Sequence, residues 1–239
     1  MENDILFIPV ISYYRMESAV IIQARTDSSR FPQKVLKKLN SKPVLWHVIE
    51  RSKEIGIPVI VSTTNRPIDH SILDIAKTCN VETFCGSTDD VLDRFYQTAV
   101  KFSLKNIIRV TADNPLIDPN IGKEILKIID SSDVDYAVID KNFPIGLGME
   151  GFNFETLEKT WKLATNQDER EHVTKYMQNS SLFNVKTIHS PKKYGHYRFT
   201  IDTLEDFHFM QKLFSTFSDN TKYYTNELVQ ILTKHPDFR

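Results

Sequence analysis

Five short segments with strand character, most of them apolar and rich in β-branched residues, recur between Ser18 and Ile139, and stretches with helical spacing follow the first four. The segments are Ser18–Gln23 (SAVIIQ), Pro58–Ser62 (PVIVS), Val81–Phe84, Ile107–Thr111 and Asp135–Ile139. Continuous apolarity, as opposed to strict alternation, marks strands buried on both faces. Helices are predicted from Pro43 to near Gly56, over Asp69–Thr78, from a Ser87 or Thr88 cap through Lys101, and over Pro119–Ile129. In the first of these Val44, Leu45, Val48 and Ile49 are the apolar positions; in the third Val91, Leu92, Phe95 and Ala99 share one face. Strand-then-helix alternation with short connections specifies the α/β class: an open, doubly wound, mainly parallel sheet with helices on both faces.

After Phe143 the rhythm changes. Phe154–Ala164 and Glu169–Gln178 read as helices, Tyr197–Ile201 (YRFTI) as a strand, and Leu204–Phe214 and Asn226–Lys234 as helices. No Gly-, Ser- or Pro-rich linker and no internal repeat divides the chain, so residues 16–239 are expected to form one domain. Met1–Tyr14 is apolar in places but carries Glu2, Asp4 and Pro9 and has no small-residue cleavage site, so it does not read as a secretory signal. It is expected to be an extension, with Met16 as an alternative start of the domain. Cys79 and Cys85 read as reduced thiols without the further ligands that zinc needs, which fits a cytoplasmic location. A formal net charge of −1 gives no global field for nucleic acid or an anionic membrane, so an anionic ligand requires a local cluster of cations.

Such a cluster follows the first strand. In Gln23-Ala24-Arg25-Thr26-Asp27-Ser28-Ser29-Arg30-Phe31-Pro32-Gln33-Lys34, three cations, Arg25, Arg30 and Lys34, fall in one loop at a predicted carboxyl edge, where open α/β sheets bind ligands. Arginine forks and a lysine point charge suit phosphate oxygens, and Ser28, Ser29 and free backbone N–H groups can complete an anion nest. Spacing alone leaves a solvated basic loop an equal alternative. The loop lacks the glycines and the Lys-Ser/Thr pair of a Walker P-loop.

Two acidic residues occupy strand tips. Asp113 follows the Ile107–Thr111 run, and Asp202 follows Phe199-Thr200-Ile201. If they converge, they can hold Mg²⁺, a hard cation bound by one or two carboxylates plus substrate phosphates. The blander readings are a turn at Asp113-Asn114-Pro115 and a helix cap at Asp202 or Thr203. Three further polar stretches stand out: Gly86–Phe95, whose Asp89 and Asp90 favour a helix N-terminus; Phe143–Glu150, whose two glycines allow close backbone approach to a ligand; and Asp168–Thr174. His172 alone reads more readily as a structural histidine than as a general base.

The stretch Ile22-Gln23-Ala24-Arg25, Ser29-Arg30-Phe31-Pro32, Lys34-Val35-Leu36 and Lys42-Pro43-Val44 resembles the signature of CMP-sugar synthetases, which include the cytidylyltransferases for acylneuraminate and 3-deoxy-manno-octulosonate. Within them it is most similar to the spore-coat polysaccharide cytidylyltransferase-like branch. Asp27 stands where the family often has a small residue such as Gly, and Phe31 where it often has Leu. The resemblance implies a nucleotide-diphospho-sugar transferase-like fold and transfer of CMP from CTP to a sugar acid or phosphorylated small-molecule acceptor, with pyrophosphate released. It implies nucleotide binding by Gln23, Ala24, Arg25, Ser29, Arg30, Lys34, Thr111 and Ala112. Arg25, Arg30 and Lys34 would hold the phosphates, and Asp113 and Asp202, in Thr111-Ala112-Asp113 and Ile201-Asp202-Thr203, would hold Mg²⁺. These five are the catalytic set. Similar Pro-x-Gly-Leu and Glu-Arg-Glu-His-Val-Thr stretches in that branch imply acceptor contacts from Glu150, Glu169 and His172, although Gly148 replaces its usual Asp. A homodimer is also implied.

Two other classes compete: a glycosyltransferase consuming a nucleotide sugar, and a non-catalytic nucleotide-binding protein. The first normally shows Asp-x-Asp at a central strand edge; Asp133-x-Asp135 has the spacing but precedes its strand. No His-Glu-x-x-His or Gly-x-Ser-x-Gly motif supports zinc hydrolysis or serine esterase chemistry.

Overall fold

The structure, a computed structural model, describes residues 16–131, 133–218 and 223–238; the expected extension over residues 1–15 lies outside them. The chain runs β1 (Ser18–Gln23), β2 (Lys38–Leu39), β3 (Lys42–Pro43), α1 (Val44–Lys53), β4 (Val59–Thr64), α2 (His70–Thr78), β5 (Glu82–Gly86), α3 (Val91–Lys101), β6 (Asn106–Thr111) and α4 (Pro119–Ile129). It continues through β7 (Tyr136–Ile139), β8 (Glu150–Asn153), α5 (Phe154–Leu163), α6 (Gln167–Glu171), α7 (Lys175–Asn179), β9 (Val185–Ile188), α8 (Leu204–Phe214) and α9 (Thr225–Lys234).

One sheet has the order β5-β4-β1-β6-β8-β7-β9, with β2 and β3 forming a separate hairpin. β4, β1 and β6 are parallel neighbours, as are β4 with β5 and β7 with β9. Both faces are covered, as the apolar runs require. Val20 and Ile22 of β1 pack with Leu45, Val48 and Ile49 of α1, Ile72 of α2 and Ile125 of α4. Ala19 and Ile21 face the opposite side, with Leu92 and Phe95 of α3 and Leu157 of α5. Among the described residues no helix is long and apolar enough to cross a membrane.

Four local readings are corrected. β8 is an antiparallel strand inserted between β6 and β7; its four residues include Glu150 and Gly151, so no apolar run announces it. Tyr197–Ile201 does not join the sheet. It is an extended segment with one bridge, Ile145 to Arg198, because Phe199 and Ile201 are drawn into a third apolar cluster with Phe207, Met210 and Leu228. The expected Glu169–Gln178 helix is broken into α6 and α7, with Val173 in the left-handed region at φ 49°. Helix α3 is capped by Asp90, whose carboxylate accepts from the Asp93 N–H at 2.8 Å, instead of by Ser87 or Thr88. Gly146, at φ 91°, permits a close approach as expected, but to the protein itself: a Cβ there would sit 2.6 Å from the Phe199 and Thr200 backbone.

Candidate active site

The carboxyl ends of β1 and β6 lie side by side, with Gln23 in register with Thr111. The loop leaving β1 therefore starts beside the loop leaving β6. The Ala24 N–H donates to Ser62 O at 3.0 Å and the Ala112 N–H to Gln23 O at 3.1 Å, so both loops open from fixed backbone. The β1 loop is held further by Asp69, a fully buried carboxylate at the start of α2. It accepts from the Thr26 N–H at 2.7 Å, the Thr26 hydroxyl at 2.8 Å, the Thr64 hydroxyl and the Arg66 guanidinium. Arg66 also pairs with Asp27, so the unusual acid of the cradle carries its own counter-ion.

A cleft of about 360 Å³ opens above these strand ends. Arg25, Ser29, Arg30 and Lys34 line it from one side, and Thr111, Ala112, Asp113 and Asp202 from the other. Gln23 lies beneath, and Glu171 and His172 also line it. The Lys34 ammonium joins the two halves. It donates to Asp113 Oδ2 at 2.8 Å, Asp202 Oδ1 at 2.9 Å and Ile201 O at 2.8 Å. Asp113 Oδ1 accepts from the Thr111 hydroxyl, and Asp202 Oδ2 from Arg198. Arg30 approaches Asp202 at 3.3 Å and Arg25 approaches Glu171 at 3.5 Å. Burial works against charge on Asp202, but the hydrogen bond and charge of Lys34, with the charges of Arg30 and Arg198, outweigh it and hold its carboxyl below the usual range.

The helix-cap reading of Asp202 is answered by geometry. Thr203 caps α8, in a reciprocal capping box with Asp206, and Asp202 is left to face the cleft. Asp113 does stand in a turn, closed by the Asn114 N–H on Thr111 O at 3.3 Å, and from it also faces the cleft with its Oδ2 on Lys34.

The remaining expected residues divide. His172 lines the cleft, whereas Ala24 is buried in the core and is not among the residues that line it. Glu150 and Glu169 do not line it. Glu150 is occupied internally by Arg109, Tyr136, Thr174 and Gln178, and the neighbouring Glu171 stands at the cleft where Glu169 was expected. Asp135 precedes β7 and lines a different hollow with Glu17 and Asn106, at the amino ends of the strands, so Asp133-x-Asp135 is far from this chemistry. A larger open hollow of about 590 Å³ between Lys192 and α9 lacks converging carboxylates.

A cytidylyltransferase family model matches residues 19–233, which spans every element of the cleft. The chain belongs to the cytidylyltransferase family. The enzyme is thus a nucleotidyltransferase, on the sheet that its apolar runs predicted. It is 37 % identical over 225 residues to protein MJ1063 of Methanocaldococcus jannaschii, covering 92 % of this chain and 91 % of that one. It is 29 % identical to the spore coat polysaccharide biosynthesis protein SpsF of Bacillus subtilis, covering 98 % and 96 %. Among solved structures, a cytidylyltransferase from Leptospira borgpetersenii superposes with a TM-score of 0.87 at 28 % identity, covering 93 % of this chain and 96 % of that one.

Three residues of the site escaped sequence reasoning. Asp69 reads locally as a helix start, Glu171 as one charge in an acidic turn, and Arg198 as an exposed strand residue. Asp69 and Arg198 matter through partners distant in sequence or in another element, and no spacing rule marks them.

The carboxylates that knit the site together make its stability acid-labile. For Asp69 and Glu150, burial opposes charge. The hydrogen bonds of Thr64, Thr26 and Arg66 on Asp69, and the charge of Arg109 with bonds from Tyr136 and Thr174 on Glu150, prevail and hold both below their usual range. A depressed folded pKa contributes stability that is present above the unfolded value, about 4, and is lost as pH falls through the lower folded value. Urea unfolding should therefore show a marked drop in stability between about pH 5 and about pH 3. An unchanged midpoint at the acid end would contradict these assignments.

Proposed function

We propose that the enzyme transfers CMP from CTP to a sugar acid or a related small-molecule acceptor and releases pyrophosphate. The observation that carries this reading is the convergence of Arg25, Arg30 and Lys34 with Asp113 and Asp202 in one cleft at the carboxyl ends of β1 and β6. The name of the Bacillus subtilis relative supports an acceptor in polysaccharide biosynthesis.

The charge inventory supports a requirement for a divalent cation. Among the described residues, Arg25, Arg30, Lys34 and Arg198 are paired with Glu171, Asp113, Asp202 and Asp206, so four cations are cancelled by four carboxylates. A triphosphate brings about four further negative charges and needs positive charge that the cleft does not hold in surplus. The donor set fits Mg²⁺: two hard carboxylates already surround one cation, the Lys34 ammonium, at 2.8 and 2.9 Å. Among the described residues no group of three or more His, Cys, Asp or Glu forms a metal cage, and Mg²⁺ characteristically completes its shell with phosphates and water. Asp113 and Asp202 would hold the ion, which supplies charge neutralisation on the phosphate oxygens when bound.

The protein's own groups do the rest by positioning and electrostatics. Arg25, Arg30 and Lys34 bind and orient the phosphates. An acceptor oxygen forms its bond to the α-phosphorus, a hydroxyl giving its proton to water, while the bond from that phosphorus to the bridging oxygen breaks, and pyrophosphate carries that oxygen away. Glu171 and His172 border the cleft and are available to the acceptor. The homodimer implied by the sequence resemblance belongs to this reading, and sedimentation measures it.

Pyrophosphate release tests the reaction. CTP, Mg²⁺ and a panel of sugar acids and sugar phosphates should give turnover, and release restricted to ATP or GTP, or none with any acceptor, would overturn the assignment. Metal binding should depend on nucleotide: Mn²⁺ should bind at least about tenfold more tightly with CTP present, because phosphate oxygens complete its shell. Equal affinity with and without CTP would count against Asp113 and Asp202 as the metal pair.

A further inference from the structure

We propose that Glu150 is a positioning residue that keeps the floor and the roof of the cleft in register, its carboxylate being occupied by the protein and not by the acceptor. This inference rests on the reading of the cleft as a nucleotide site.

The floor is reached through Arg109. Glu150 on β8 is the register partner of Arg109 on β6, and the Arg109 Nη1 donates to Glu150 Oε2. The same guanidinium donates through Nε to Gln23 Oε1 at 3.0 Å, and Gln23 lines the cleft. With its oxygen committed to Arg109, the Gln23 amide has its N–H₂ group left for a ligand.

The roof is reached through Thr174. Its hydroxyl lies 3.0 and 3.1 Å from the two Glu150 oxygens, and Gln178 Nε2 donates to Oε1 at 2.9 Å. Directly before Thr174 stands Val173, fully buried, at φ 49°. A β-branched residue in the left-handed region is an outlier that persists only where its surroundings over-determine it. On the other side, Arg170 donates to Asp90 Oδ2 at 2.9 Å through Nε. Glu171 and His172, which line the cleft, are thus suspended between two anchors: Arg170 on Asp90 and Thr174 on Glu150.

The Glu150 carboxylate is saturated. Tyr136 also donates to Oε1, so four side chains share two oxygens that offer about four acceptor sites in all. No lone pair is left for a sugar. Loss of the charge would release Arg109, and with it Gln23, at the same time as it loosens the Thr174 anchor.

The test compares wild type with Glu150→Gln and Thr174→Val. CTP affinity in the presence of Mg²⁺ is measured by calorimetry, and hydrogen exchange over residues 167–178 is measured on the nucleotide-free proteins. Glu150→Gln is expected to weaken CTP binding about tenfold or more and to speed exchange across 167–178. Thr174→Val leaves the Arg109–Gln23 arm in place, so it should reproduce the faster exchange with a smaller loss of affinity. Thr174→Val also decides the roof arm if Glu150→Gln does not fold. Wild-type CTP affinity together with wild-type exchange in Glu150→Gln overturns the inference. If wild type itself binds no CTP, the nucleotide reading fails, while the exchange comparison still decides whether Glu150 holds the roof.

Discussion

Replacement of Lys34 by methionine should lower kcat/KM for CTP-dependent pyrophosphate release by about 100- to 1,000-fold, the usual effect of deleting one preorganised charge donor. Lys34 is the sole side chain among the described residues that contacts both Asp113 and Asp202, and only 12 % of its side chain is exposed. Methionine preserves the length and apolar stem, so a loss of rate reports the ammonium and not packing. Asp202 would retain Arg30 and Arg198, whereas Asp113 would keep only its bond from Thr111. Two carboxylates left facing one another favour a replacement cation. Mg²⁺ without nucleotide should therefore raise the melting temperature of Lys34→Met more than that of wild type. Lys34→Arg should not restore activity, since a planar fork does not fit a nest of three oxygens around a single nitrogen. Turnover within about threefold of wild type in Lys34→Met would reduce Lys34 to a structural tie.

The largest loss of stability is expected at Asp69. Asp69→Ala removes the acceptor of Thr26, Thr64 and Arg66 in one step and leaves a buried N–H and two buried hydroxyls without their partner. Breaking a buried, hydrogen-bonded charge typically costs about 3–5 kcal/mol. Half-exposed Arg66 keeps Asp27 and softens this, which places the expected value near about 3 kcal/mol by urea unfolding. The loop that carries Arg25 and Arg30 is tied down through Thr26, so any folded fraction should also bind CTP poorly. A change below about 1 kcal/mol would show that the β1 loop is held by other means.

The parallel core was legible because its signal is local. Val20, Ile21 and Ile22, or Ile107 and Ile108, are buried on both faces, and unbroken apolarity is the trace of that burial. The cradle was legible because the residues around its three cations match a family signature; spacing alone left a solvated basic loop equally open. What stayed hidden depends on tertiary contact. β8 exists because β6 and β7 flank it, although Glu150 and Gly151 disfavour a strand in isolation. Helix α6 stops at His172 because Thr174 is drawn to Glu150, a residue on a strand that the sequence does not announce. The acceptor role expected of Glu150 came from the resemblance of its Pro-x-Gly-Leu stretch to that branch, and a resemblance in sequence does not show the Arg109 and Tyr136 side chains that the fold places beside it.

The balanced pairing of Arg25, Arg30, Lys34 and Arg198 with four acids also bears on how fast a ligand arrives. A neutral entrance casts no attractive field beyond the screening distance of about 8–10 Å, so a nucleotide is not drawn in from afar. Capture then proceeds by ordinary collision, at roughly 10⁵–10⁷ per molar per second, and is nearly indifferent to added potassium chloride. On the proposed function, selectivity would be exercised after arrival, when incoming phosphates would have to prise arginines away from their resident carboxylates.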